Sequence, residues 1–353
     1  MKNRATLVAI ATTISLTVLS SCSKDDMGDM PMGKNIDYPA AYVVNGESAT
    51  VSVIKLSDNT VSETFDIMNS GGNMVMWPHH IYSHQNHLAI GVPGMDLSAG
   101  HSGGMAGMKG RILIMDAVKG TVLKDIETPA MNHNAVYSPD GTEIWTTQMA
   151  MDGKVLVYDA NTYAVKNTIA VGEDPAEVTF SMDGTKAYVC NGGSGTVSII
   201  NPSSKSVVAT LTVGDDPVGA WPAANGKMYV DNEASQTISV IDVATNAVIE
   251  TISLGFMPGY AAHNASKNEL WVTDPMNGKV HYWSWDNGMS MWMLAGVLDA
   301  GTGAHAIVFT QDGNTAYVTN QESNTVSVVN VSSHTVTKTL NVGKKPNGIL
   351  IKM

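Results

Sequence analysis

The chain has 353 residues, 15% of them charged, a formal net charge of −12, and arginine only at Arg4 and Arg111. So acidic and arginine-poor a chain has little with which to grip phosphates, which argues against a nucleic-acid partner. Length alone admits one large domain or two average ones, so the count rests on repeats.

The chain opens Met1-Lys2-Asn3-Arg4, followed by an apolar run from Ala5 to Leu19 broken by Thr and Ser. A basic start before a short apolar run predicts a secretory signal over residues 1–21, too short for a comfortable membrane span. Leu19-Ser20-Ser21-Cys22 resembles a bacterial lipobox, which implies that Cys22 is acylated and becomes the first residue of a membrane-anchored chain. Loss of Lys2 and Arg4 with the signal takes the charge from −12 to −14. Ser23-Lys24-Asp25-Asp26 resembles the acidic export signal of some Bacteroidetes lipoproteins, so the expected location is the outer membrane, facing the periplasm or the cell surface. Residues 22–40 read as a flexible tether punctuated by Met27, Met30 and Met32. With Cys22 acylated, Cys190 has no partner for a disulfide, and within Ala187-Tyr188-Val189-Cys190 it reads as a buried, inert thiol.

From Ala41 onward the chain repeats itself, and such repetition outranks any local motif. Lys186-Ala187-Tyr188-Val189-Cys190-Asn191 recurs as Lys227-Met228-Tyr229-Val230-Asp231-Asn232, Glu269-Leu270-Trp271-Val272-Thr273-Asp274 and Thr315-Ala316-Tyr317-Val318-Thr319-Asn320. A period-2 strand follows each, as in Thr196-Val197-Ser198-Ile199-Ile200, which suits a strand with one packed face. A third strand such as Ser206–Leu211 comes next, then a Gly/Pro turn into a fourth such as Ala176–Phe180, closed by an Asp-Gly turn. Aromatic-type strands near Tyr42, Leu88, Trp145, Tyr188, Tyr229, Trp271 and Tyr317 make seven units. The expected fold is therefore all-β: a seven-bladed β-propeller of four-stranded blades over residues 41–353. The first unit lacks an inner strand and the C-terminus has a spare one, Asn347–Ile351, so the C-terminal strand should close the ring.

Ala316-Tyr317-Val318-Thr319-Asn320 resembles the repeat of the YVTN-type β-propeller proteins, and degenerate copies cover nearly everything from Ala41 to Met353. The resemblance implies a secreted or surface binding protein. Related propellers carry copper in nitrous oxide reductases and a modified haem in nitrite reductases, and a fold does not choose among such roles. Arg111 as the single arginine after the signal, and the absence of Cys-x-x-Cys-His, weaken the haem analogy. The copper analogy is incomplete, since its catalytic cluster uses a richer ring of His.

Aligning the starts of the inner strands lists the side chains around the channel: His79 or His80, His133, Ala176 with Glu177, Val218 with Gly219, Gly259 with Tyr260, His305 and Asn347. Imidazoles from three blades near one carboxylate suit copper or zinc. They equally suit hydrogen bonds to backbone at the channel mouth, and both readings stay open. A Gly-rich insertion from Gly91 to Gly110 stretches the step from Leu88 to Trp145 to 57 residues, against 41 to 46 between later units. It carries His101 with Met95, Met105 and Met108, and thioethers in a loop that has no evident core to fill suit Cu(I). Met74, Met76, Met131, Met149 and Met151 fall near His79 and His133. Tyr282-Trp283-Ser284-Trp285 with Trp292 reads first as packing between blades.

No nucleophile motif, phosphate loop or His-Glu-x-x-His run occurs. The expected function is thus a lipid-anchored binding or scaffold protein rather than an enzyme, with its ligand at the channel end near His79, His133 and His305 and Glu177 as acidic companion. A copper-binding or copper-dependent redox protein is the alternative. A third reading is a surface module that binds a protein or polymer through its loops and the Trp-rich sixth blade.

Overall fold

The computed structural model describes residues 35–68, 71, 75–98 and 107–353. The expected signal segment, Cys22, Met74, His101 and Met105 lie outside the described residues. Seven four-stranded antiparallel sheets form the blades of a β-propeller, each built outward from the channel in chain order. The exception is the first blade, whose innermost strand is the C-terminal Pro346–Lys352, paired antiparallel with Ala40–Asn45 from Ala40↔Lys352 to Asn45↔Pro346. That pairing closes the ring and leaves neither terminal strand as an open inner edge. Residues Lys34–Met353 are one compact unit that holds all seven blades and their closure. Among the described residues, no helix is long and apolar enough to cross a membrane.

The packed part begins before the expected start at Ala41. Ile36 is buried against the first and second blades and its N–H donates to the Val118 carbonyl, so the last residues assigned to a flexible tether are docked.

The repeat has a physical reason at each conserved step along this chain. The aromatic of the second strand, Tyr42, Trp145, Tyr188, Tyr229, Trp271 or Tyr317, is fully buried between blades. Each removes about 200 Å² from water, worth roughly 5 kcal/mol by area. Tyr42 OH reaches the next blade and donates to the Ala117 carbonyl, and Tyr317 OH does so to Asn59. The Asn three residues after the aromatic donates from Nδ2 to the hydroxyls that face it on the third strand. Asn191 reaches Thr196 at 3.1 Å and Ser198 at 3.0 Å, and Asn45, Asn232 and Asn320 repeat the pattern. The alternation of Thr and Ser with Val and Ile is therefore a ladder of hydroxyls on one face and packing on the other. The departure in the sixth blade is packing too: Trp283 and Trp292 are buried with Trp221, Tyr229 and Phe256, while Met289, Met291 and Met293 are exposed.

Candidate functional site

Five side chains singled out from the aligned inner strands meet on the channel axis, and all are buried. His79 and His80 immediately precede the inner strand Ile81–His84 of the second blade, and His133 precedes Val136–Tyr137 of the third. Glu177 lies in Pro175–Phe180 of the fourth blade and His305 in Ala304–Phe309 of the seventh. Ring centroids are 4.3 Å apart for His79 and His133, 4.5 Å for His79 and His80, and 5.1 Å for His80 and His133. His305 stands farther off, 5.9 Å from His79 and 5.8 Å from His80. The inner strand of the first blade crosses so close that a Cβ on Gly348 would lie 2.8 Å from His80 Cα, so glycine is what lets the strand pass the histidine pair.

Glu177 organises the cluster. Its Oε1 lies 3.0 Å from His80 Nε2 and 2.9 Å from His133 Nδ1, while Oε2 accepts from Asn134 Nδ2 at 3.3 Å and Tyr82 OH at 3.4 Å. Burial pushes this carboxyl up, but His80 and His133, through charge and hydrogen bonds, outweigh burial and hold it well below the ordinary carboxylate range. It is therefore an anion with both imidazoles at ion-pair distance from its Oε1. His80 and His133 thus each turn a ring nitrogen to a carboxylate.

His79, His80 and His133 each offer one ligand atom within 4.8 Å of the others'. Three buried imidazoles, two of them facing a carboxylate through one ring nitrogen, resemble the way metal-binding histidines are ordinarily held. The donor set fits copper or zinc, with Glu177 supporting and His305 at the margin.

Four further residues complete the site, and the aligned strand starts did not flag them: Tyr82, Asn134, Trp221 and Asp231. Asn134 locks the third blade to the fourth through Val178 as well as Glu177. Trp221 lies 5.9 Å from His80, 3.6 Å from Tyr260, and over Gly219, where a Cβ would come within 2.2 Å of the indole. Asp231 Oδ1 anchors it, accepting from Trp221 Nε1 at 2.6 Å and from the Gly219 N–H at 3.2 Å. Burial drives the Asp231 carboxyl well above the ordinary range, the charge of Glu233 adds to that, and the indole N–H pulls only partly back. The sequence held one signal: the position two after the aromatic is Thr147, Thr273 and Thr319 in three blades and Val44, Ile90 and Cys190 in three others, and Asp231 is the one acidic residue there.

The methionine reading needs correction. Met95 and Met108 do have a core to fill, since they pack on a small buried cluster of Leu97, Met131 and Met149. Met131 precedes His133 by two residues, while Met76 and Met151 are exposed.

The fold and this cluster define a seven-bladed propeller with a buried histidine–carboxylate constellation on its axis. No protein-family model and no curated protein matches the sequence. Solved structures share the fold at low identity. A Pseudomonas aeruginosa periplasmic gluconolactonase is 15% identical with a TM-score of 0.70, over 89% of this chain and 99% of that one. A protein from Lactobacillus plantarum is 11% identical at 0.70, over 89% and 100%. Kuenenia stuttgartiensis hydrazine synthase is 16% identical at 0.61, over 77% and 88%. At such identities the likeness concerns fold alone.

Proposed function

We propose that this chain is an exported, lipid-anchored propeller of the YVTN type whose function is to bind a transition-metal ion, copper in preference to zinc, at His79, His80 and His133. The observation that carries the reading is three buried imidazoles with ligand atoms within 4.8 Å, two of them held by Glu177. Imidazole suits both metals, and the usual order of affinities for such nitrogen donors puts Cu(II) above Zn(II). The ion is bound rather than turned over: no motif of a nucleophile or redox partner accompanies it in the sequence.

The test is metal analysis of Lys34–Met353 purified from a metal-supplemented host without chelators. Near-stoichiometric copper is expected, lost in His133→Ala and bound 10–100-fold more weakly in Glu177→Gln, whose amide cannot serve both imidazoles as the carboxylate does. A folded protein that retains no metal, or His133→Ala that retains all of it, overturns the reading.

A second reading is hydrolysis of a lactone in the same channel. His133 beside Glu177 supports it, being an imidazole with a carboxylate to orient it, as does the fold shared with the gluconolactonase. Turnover of glucono-δ-lactone by metal-free protein, abolished in His133→Ala, would favour it over metal binding.

A further inference from the structure

We propose that the channel mouth opposite the histidines is a separate binding site for a small, uncharged, planar aromatic molecule, seated on Tyr260, which Trp221 backs. The proposal does not depend on the metal reading, because its walls come from different residues.

The inner strands run from the histidine end toward this mouth, and their later residues line it. Tyr82, Tyr137, Phe180, Trp221, Tyr260 and Phe309, from blades two to seven, are the aromatic part of a funnel of about 530 Å³. Pockets that hold small organic molecules fall in the range of roughly 300–1,000 Å³ and are largely apolar with a few polar groups. This one has no Lys, Arg, Asp or Glu in its lining. A charged ligand would lose its hydration there and find no counter-charge.

The polar groups present are neutral. Burial lowers the imidazole of His263 at the rim. A polyol such as a sugar would need several directed partners. Here Thr179 already donates to the Ala220 carbonyl and Tyr82 to Glu177, which leaves faces rather than hydrogen bonds as the main offer.

The floor is prepared in advance. Half-buried Tyr260 stacks on buried Trp221, the ring centroids 3.6 Å apart and inclined by 32°, and the indole is pinned by Asp231 beneath it. A fixed aromatic floor lowers the ordering cost of binding a flat molecule. The same two rings, 5.9 and 6.2 Å from the His80 ring, stand between the funnel and the histidine cluster.

The test titrates Lys34–Met353 calorimetrically with 2-naphthol, with naphthalene-2-sulfonate as a charged probe of the same ring size and with glucono-δ-lactone as a polyol. One site for 2-naphthol is expected, with the other two at least tenfold weaker. Ala262→Trp and Val308→Trp, which put bulk on half-buried residues of the funnel wall, should each weaken 2-naphthol at least tenfold; the one that keeps the wild-type circular dichroism is read. Undiminished binding of 2-naphthol to that folded variant, no binding to the parent, or tighter binding of the sulfonate or the lactone overturns the proposal. Metal retention read in parallel separates this failure from that of the histidine site.

Discussion

Replacing Asp231 with Asn should change how stability depends on pH, in a direction set by burial. The carboxyl is fully buried and held well above 3.8, whereas in the unfolded chain it releases its proton near pH 3.9. Above that pH the folded chain keeps a proton that the unfolded chain has lost. The contribution of Asp231 is therefore complete below the unfolded pKa and is lost as pH rises toward the folded one. Each pH unit over which the folded chain alone keeps the proton costs about 1.4 kcal/mol of stability. Asparagine keeps the acceptor that Trp221 and Gly219 use, places an amide where the protonated carboxyl has its O–H, and does not titrate. The variant should match the parent near pH 4 and gain on it as the pH is raised toward 6, by at most about 1.4 kcal/mol per pH unit. Urea unfolding of both proteins across that range, compared at equal slope, measures the gain. A difference that stays flat within about 0.5 kcal/mol, or that shrinks as pH rises, refutes a neutral buried carboxyl beneath Trp221.

Two other changes test the fold and its one described cysteine. Asn320→Ala removes a buried amide that donates to Thr325 at 3.0 Å and Ser327 at 2.9 Å, and should cost about 1–3 kcal/mol in unfolding, whereas Asn314→Ala on the exposed turn should cost under about 0.5; equal losses would sink the role given to the Asn–hydroxyl knot. Cys190 is fully buried, and burial, with nearby Asp231 and Glu177, pushes its thiol well above its ordinary range. In native Lys34–Met353 it should resist a thiol-specific disulfide reagent until the protein unfolds, then react at one equivalent; rapid native reaction contradicts that placement.

The blades were legible because everything that makes them is local. Hydroxyl–aliphatic alternation, the Asn that joins two strands in four of the blades and the Asp-Gly turns lie within a few residues of the contacts they form. His79, His80, His133, Glu177 and His305 were legible for a different reason: a ring of equivalent strands converts alignment into proximity, so equal offsets in distant repeats meet on one axis. Tyr82 and Trp221 were not, because they lie further along the inner strands, and Trp221 reaches the axis only where Gly219 has no side chain to stop it. The packing of Met95 and Met108 was hidden as well, since Leu97, Met131 and Met149 come from separate segments that composition cannot join.

The residues that alignment missed make the two ends of the channel chemically distinct. Toward the strand starts the axis carries imidazoles around an anion; toward the strand ends it carries phenols and indole with no charge. Glu177 touches both regions, His80 and His133 through Oε1 and Tyr82 through Oε2. A cation held by the histidines would draw on the carboxylate that also accepts from Tyr82, and a molecule that moved Tyr82 would change the hydrogen bonding of the group that orients two of the imidazoles. Coupling between the two ends, if measured as a shift in 2-naphthol affinity with metal, should therefore vanish in Tyr82→Phe while both sites persist, because that substitution removes the single hydroxyl joining them and leaves the ring in the funnel wall.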